Sequence, residues 1–316
     1  MHPIAAEPHP PRSRAGIAYL AGIVSTFGWA SLYTVAKPAL EEVSPVDLAF
    51  SRAAIAALSL TLLSSLTSRR GPAYVLAQAR RDWRRVAVVG VISFAGTSLI
   101  AMTAQQFLTA SVNGLLNNLA PLWIAVYAAF AGRARSGPLL VAGTLIASAG
   151  VAVVLLGGGE NSALPLNAET GLGVVISLGG SLLIAFASVN TRRVMRGRDP
   201  LALTAAGAAW GALPLLVLVA AGAGGSFAEL AAASTATKLR LLWLGTVSTA
   251  FNFALWSFAL AHLPVTRVSP LQYLIAPGGV ALAVLLLGEP LGPHLIVGTA
   301  AILCGIALAQ RGAERS

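Results

Sequence analysis

The chain has 316 residues, of which 56% are hydrophobic and only 10% charged, with a mean hydropathy of +0.78 and a formal net charge of +10. Soluble domains carry roughly 25% charged residues, so this composition excludes an ordinary soluble fold. The basic residues sit in short breaks between long apolar runs rather than on one soluble face, which argues against a nucleic-acid binder and for membrane topology. A single cysteine, Cys304, lies inside the last apolar run; it excludes an internal disulfide and a cysteine metal cluster, and reads as a small packing residue.

In chain order, residues 1–14 are polar and Pro-rich and read as a disordered tail. A transmembrane helix needs about 20 apolar residues. Runs of that kind predict helices at 15–36, 45–66, 86–107, 110–131, 138–156, 171–191, 200–221, 239–261, 265–287 and 292–310. Gly and Pro mark many of their ends, as at Pro45, Gly137-Pro138, Pro200, Pro264 and Gly292-Pro293. The longest loops expected outside are Gly157–Thr170 and Gly222–Lys238.

With the N-terminus placed inside, all of the 21 lysines and arginines except Lys37, Arg52, Lys238 and Arg240 fall in inside segments. Glu41, Glu42, Asp47, Glu160, Glu169, Glu229 and Glu289 fall outside. This asymmetry predicts a multi-pass protein of the cell membrane with both termini cytoplasmic.

The chain also repeats itself. Gly137–Val154 and Gly292–Ala309 superpose without a gap at the Gly-Pro start, Leu140/Leu295, Gly143-Thr144/Gly298-Thr299, Gly150/Gly305 and Ala152/Ala307. With a one-residue shift, Ala120-Pro121 aligns with Ala276-Pro277 and Gly132 with Gly288. Each half then holds five helices, and an odd number forces the second half to enter from the opposite side. The expected fold is an all-α integral membrane protein of ten transmembrane helices arranged as two inverted five-helix repeats, 15–157 and 171–310. The repeats are joined by an extracytoplasmic loop at 158–170 and followed by a tail at 311–316. The glycines of the repeat lie inside apolar helices, where they permit close packing and do not form a nucleotide loop.

Several local patterns, in their order along the chain, resemble the EamA-type members of the drug/metabolite transporter superfamily. They are Trp29-Ala30-Ser31 leading to Lys37, Ser44-Pro45 leading to Arg52, Ala110-Ser111 leading to Pro121, Pro264-Val265-Thr266 leading to Pro277, and Leu287-Gly288-Glu289-Pro290. The resemblance covers residues 15–310 and implies export or import of small metabolites, a class that includes amino acids, nucleotide sugars and drugs. Arg133 departs from the pattern, since such families often carry a Glu in the first half as well.

Polar side chains within lipid are costly unless paired or facing a cavity. The candidate substrate-binding residues are Trp29, Tyr33, Asn113, Asn117, Asn252, Trp256, Gln272 and Tyr273, many at helical spacing along one face. Amides can bond amino and carboxyl groups, and Trp or Tyr can stack on apolar or cationic parts. Taken singly, such residues read as helix-to-helix glue; the Asn113/Asn117 and Asn252/Trp256 clusters, on opposite halves, read as a shared cavity. Pro121 and Pro277 are expected as mid-helix hinges. Arg52, the most buried basic residue, could bind an anionic group, but it and Lys37 are expected to snorkel outward or to pair, Arg52 with Asp47 or Glu42.

No acid falls mid-span, which points to facilitated diffusion; His262, Glu289 and His294 at helix ends are the groups a proton-coupled carrier would use. The sequence contains no G-x-S-x-G, no H-E-x-x-H and no paired Asp motif for a metal-bound diphosphate, so an embedded enzyme is disfavoured. No cofactor is expected. The expected partners are a small-molecule substrate and the lipid bilayer, with no nucleic acid. A non-transporting membrane scaffold is the other competing reading.

Overall fold

The computed structural model describes residues 12–68, 71–80, 82–130, 138–156, 167–195, 198–263 and 268–314. Among them the first long helices are α1 (Arg12–Ala39) and α2 (Pro45–Ser68). A short helix α3 (Pro72–Arg80), not foreseen from sequence, precedes α4 (Trp83–Phe107). Next come α5 (Ala110–Asn117), α6 (Ala120–Phe130), α7 (Pro138–Leu156), α8 (Ala168–Met195) and α9 (Pro200–Ala220). A second unforeseen short helix, α10 (Phe227–Ala232), occupies the expected 222–238 loop. The chain then forms α11 (Thr235–His262), α12 (Ile275–Leu287) and α13 (Pro293–Glu314). The first helix starts at Arg12, inside the expected tail. Most of the 157–170 loop, Gly132–Arg135 and Pro264–Arg267 lie outside the described residues.

Among the described residues, eight helices are long and apolar enough to cross a membrane: α1, α2, α4, α7, α8, α9, α11 and α13. The two remaining expected spans are both interrupted. At 110–130 the helix breaks after Asn117 and restarts at Ala120. Before α12, Ser269–Leu274 is a tight 3-10 segment. Pro121 and Pro277 are the physical reason. Each sits in the first turn of the restarted helix, where its missing N–H costs nothing, rather than in mid-helix as expected.

A different irregularity occurs in α4 and α11. Each contains one π-helical turn, Val91–Gly96 and Thr246–Phe251. The offset between these two turns equals the offset between the Gly137 and Gly292 repeats, so both belong to the same internal repetition.

The helices pair across the halves. α1 packs on α11 and α12, and α8 packs on α4, α5 and α6. α2 and α9 lie against each other, with α2 also on α11 and α9 on α4. The most extensive pairing is α7 with α13. There the repeat glycines bring backbone against backbone. A Cβ at Gly143 would stand 2.5 Å from the Gly305 carbonyl oxygen, and one at Gly305 would stand 2.6 Å from that of Gly143. Gly150 and Gly298 are placed the same way, each 2.8 Å from the other's carbonyl. In lipid, where no hydrophobic effect drives helices together, such close approach is the main source of attraction.

Cys304 faces outward on α13 rather than packing inside, because the small-residue stripe of that helix is turned to α7. Exposed apolar residues such as Leu58, Leu62, Leu145 and Leu182 lie on the same long apolar helices, as a lipid-facing surface requires.

The α7–α13 contact leads to a prediction. Gly143→Leu or Gly305→Leu should destabilise the purified protein by at least about 1–3 kcal/mol, because the added side chain meets backbone that cannot yield. Thermal melting in detergent checks this, with Leu145→Ala on the outward face of α7 expected to change little.

Candidate functional site

Three carboxylates, Asp47 in the first turn of α2 and Glu42 and Glu289 between helices, bond the starts of helices. Ser44 and Asp47 bond reciprocally at the start of α2, with the Ser44 Oγ donating to Asp47 Oδ2 at 2.9 Å. Asp47 Oδ1 also accepts from the Ser226 N–H before α10 at 2.9 Å. Glu42 accepts from the Ser234 N–H at 2.7 Å and from the Ser234 and Thr237 hydroxyls, capping the start of α11. Glu289 accepts from the N–H groups of Ala110 and Ser111 at 2.6 and 3.1 Å and from the Ser111 hydroxyl at 2.5 Å, capping α5. A carboxylate at a helix N-terminus satisfies orphan donors and the local positive field together. Lys37 does the converse, donating to the carbonyls of Gln105 and Leu108 at the end of α4. It does not snorkel.

Asp47 and Glu42 are thus committed to helix starts, and Arg52 pairs with neither. Its Nε donates to Thr249 Oγ1 at 3.0 Å and its Nη1 to Ser98 Oγ at 2.9 Å. Ser98 follows the π turn of α4, and Thr249 lies within that of α11. The Thr249 hydroxyl donates to the Leu244 carbonyl, five residues back, which is the spacing of a π turn.

The predicted site residues fall into three groups. In the first, Asn113 is fully buried; its amide donates to the Ala101 carbonyl and to Gln105 Oε1, and its Oδ1 accepts from Ser177 and Asn117. Gln105 in turn donates to the Tyr33 carbonyl. This net fastens α1, α4, α5 and α8. The Tyr33 ring itself is buried against Gly114.

The second group joins α1 and α11. Trp29 makes edge contacts with Trp256 at 5.4 Å and Phe253 at 5.8 Å between ring centroids. Asn252 lies against Gly28, where a Cβ would stand 2.2 Å from Asn252 Oδ1. Ser31, Ser248 and Trp243 bond one another beside it. The Oδ1 atoms of Asn117 and Asn252 are both buried without a hydrogen-bond donor.

The third pair, Gln272 and Tyr273, is half-buried, and the Tyr273 hydroxyl bonds Gln310 on α13. A recess of about 520 Å³ lies elsewhere, between α4 and α8, lined by Ile100, Ile176, Gly179, Leu182, Leu183 and Phe186. It is apolar and opens on a face with exposed Leu182 and Phe186, so it offers nothing to a polar solute.

Sequence reasoning missed Ser98 and Ser177, since single serines carry no signal in a Ser-rich apolar chain. The two π turns also escaped it. Gly90 and Gly245, each immediately before a π turn and at the repeat offset, were the available clue.

Against known proteins, a family model described as the EamA-like transporter family matches residues 16–156 and again 171–310. The chain belongs to the EamA-like transporter family. It is therefore a multi-pass membrane transporter and not an enzyme. Its relatives include a probable terminal-alkyne amino-acid exporter of Streptantibioticus cattleyicolor, 25% identical over 92% of each chain. Another is an uncharacterized protein of Pseudomonas aeruginosa, 28% identical over 90% of this chain and 92% of its own. A solved crystal structure shares the fold at a TM-score of 0.64 and 23% identity, over 94% of this chain and 98% of that one.

The capping contact of Glu42 has a pH signature. The Ser234 N–H, and then the Ser234 and Thr237 hydroxyls, hold its carboxyl below the ordinary value of 4.5. A lowered carboxyl stabilises the fold above its unfolded-state pKa and loses that contribution as pH falls through the folded one. The stability advantage of the native chain over Glu42→Gln should therefore be constant near neutrality and shrink below about pH 4.5. Melting curves of both proteins between pH 3 and 7 check it.

Proposed function

We propose that this EamA-family protein is a secondary transporter, an exporter or facilitator, that moves small amphipathic metabolites such as amino acids by alternating access. In this reading the chain crosses the cell membrane ten times. The interrupted segments 110–130 and 269–287 are the fourth and ninth crossings, the halves 15–157 and 171–310 are inverted copies, and both termini are cytoplasmic. The observation that carries it is the reciprocal packing of the halves. α1 lies on α11 and α12 of the second half, while α8 lies on α4, α5 and α6 of the first. Such an exchange leaves the polar faces of both halves turned to one shared interior, where a carrier's site is expected.

Within that interior we assign substrate contact to Trp29, Tyr33, Asn252 and Trp256, with Gln272 and Tyr273 at its edge. The full burial and dense bonding of Asn113 favour helix fastening for the Asn113–Asn117 group. Pro121 and Pro277, at the restarts of broken helices, are the hinges at which the bundles rock. The relative named as a probable amino-acid exporter supports the substrate class. The lack of a mid-span acid supports passage without proton coupling.

Uptake of labelled amino acids into proteoliposomes, with and without an imposed pH gradient, tests this. Saturable uptake that ignores the gradient and falls at least roughly tenfold in Asn252→Ala or Trp256→Ala is expected. Accumulation only with the gradient would sink the facilitator assignment and turn attention to Glu289, His262 and His294.

A further inference from the structure

Arg52 lies about 10 Å along α2 from its start, within a predicted span. A guanidinium at such depth is costly by about 2.5 kcal/mol or more unless something compensates it. Among the described residues its hydrogen-bond partners are the two neutral hydroxyls of Ser98 and Thr249. The one ion pair among the described residues joins Arg198 to Asp82. Of the five N–H donors of the guanidinium, two are used, and the others meet no acceptor among the described residues. Those left over are both hydrogens of Nη2 and one of Nη1, three donors that a carboxylate can engage. Arg52 as a whole residue is half-buried.

The internal repeat supplies a second, independent observation. At the offset that relates the two π turns, Arg52 corresponds to Gly207, Ser98 to Phe253 and Thr249 to Phe94. The structure assembles that second triad as well: Gly207 is packed by the Phe94 ring, and Phe94 and Phe253 stand 6.2 Å apart. Phe253 also touches Trp29. One position of the pseudo-symmetric pair is thus cationic with hydroxyl supports, while its counterpart is a glycine beside two phenylalanine rings.

We infer that Arg52 is the anion-binding residue of the transport site and that the cargo is a small carboxylate with an apolar end, such as an amino acid with an apolar side chain. Its carboxylate bonds the free donors of Arg52, and its apolar end rests on the aromatic group of Phe94, Phe253 and Trp29. Ser98 and Thr249 are positioning residues: the π turns aim their hydroxyls so that the guanidinium plane is fixed before substrate arrives. The inference rests on the transporter reading above and narrows its substrate class.

The test compares uptake of L-phenylalanine with that of L-phenylalaninamide, which lacks the carboxylate, in proteoliposomes of the native chain, Arg52→Gln and Arg52→Lys. Melting curves of each variant exclude unfolded protein. The native chain should take up the acid in preference to the amide. Arg52→Gln should lose roughly ten- to a hundred-fold of acid uptake, as expected for a charge-assisted bond, while leaving amide uptake unchanged, and Arg52→Lys should recover part of the loss. Equal loss of acid and amide in a folded Arg52→Gln, or native-like acid uptake by it, would overturn the assignment. Native uptake of the amide but not the acid would also overturn it and leave the transporter reading standing. Uptake of neither compound, nor of any other amino acid, would overturn both.

Discussion

Inside a bilayer, water is not available to complete a hydrogen bond, so each polar group must find its partner on the protein. This chain meets that constraint within its helices and, for several side chains, by bonds across its two halves. Glu289 of the second half caps α5 of the first, and Glu42 of the first caps α11 of the second. Ser31 bonds Ser248, Asn117 bonds Ser177, and Arg52 bonds Thr249. None of these bonds is available to a half folded alone. The halves therefore depend on each other, and a displacement of one is felt at the helix ends of the other.

Packing follows the same logic. Where no polar bond joins the halves, as between α7 and α13, glycine allows backbone contact. Where chain irregularity is needed, it is placed in the interior. The restarts at Ala120 and Ile275 and the π turns of α4 and α11 all lie in stretches that face other helices. Irregular backbone at membrane depth is tolerated where protein surrounds it, and π turns re-aim side chains where a uniform helix would not. Ser98 and Thr249 owe their convergence on Arg52 to this.

The repeated architecture does not carry repeated chemistry. Arg52, Ser98 and Thr249 are matched by Gly207, Phe253 and Phe94, and Glu289 is matched by Arg133. The copies hold the same backbone but have diverged in polarity, so one end of the interior is suited to charge and the other to rings.

Class and family were legible in the chain itself. Long apolar runs, the order of the EamA-like patterns and the Gly137/Gly292 echo depend only on composition and spacing, which the linear chain records in full. The close packing of Gly143 and Gly305 was legible for the same reason, since a small-residue stripe has few other uses in lipid. Pairing was not. Whether Arg52 meets Asp47, one turn away, or Thr249, on a distant helix, depends on which helix lies beside α2. That is decided by how whole helices dock, and so only the tertiary structure showed it. The same holds for Asn113, whose amide reads equally as cavity lining or as glue until Gln105 and Ser177 are seen around it. Proline position was visible in the sequence, but its effect was not. Pro121 removes one donor either way, and only the tertiary structure showed that the helix breaks after Asn117 and restarts at Ala120 instead of bending.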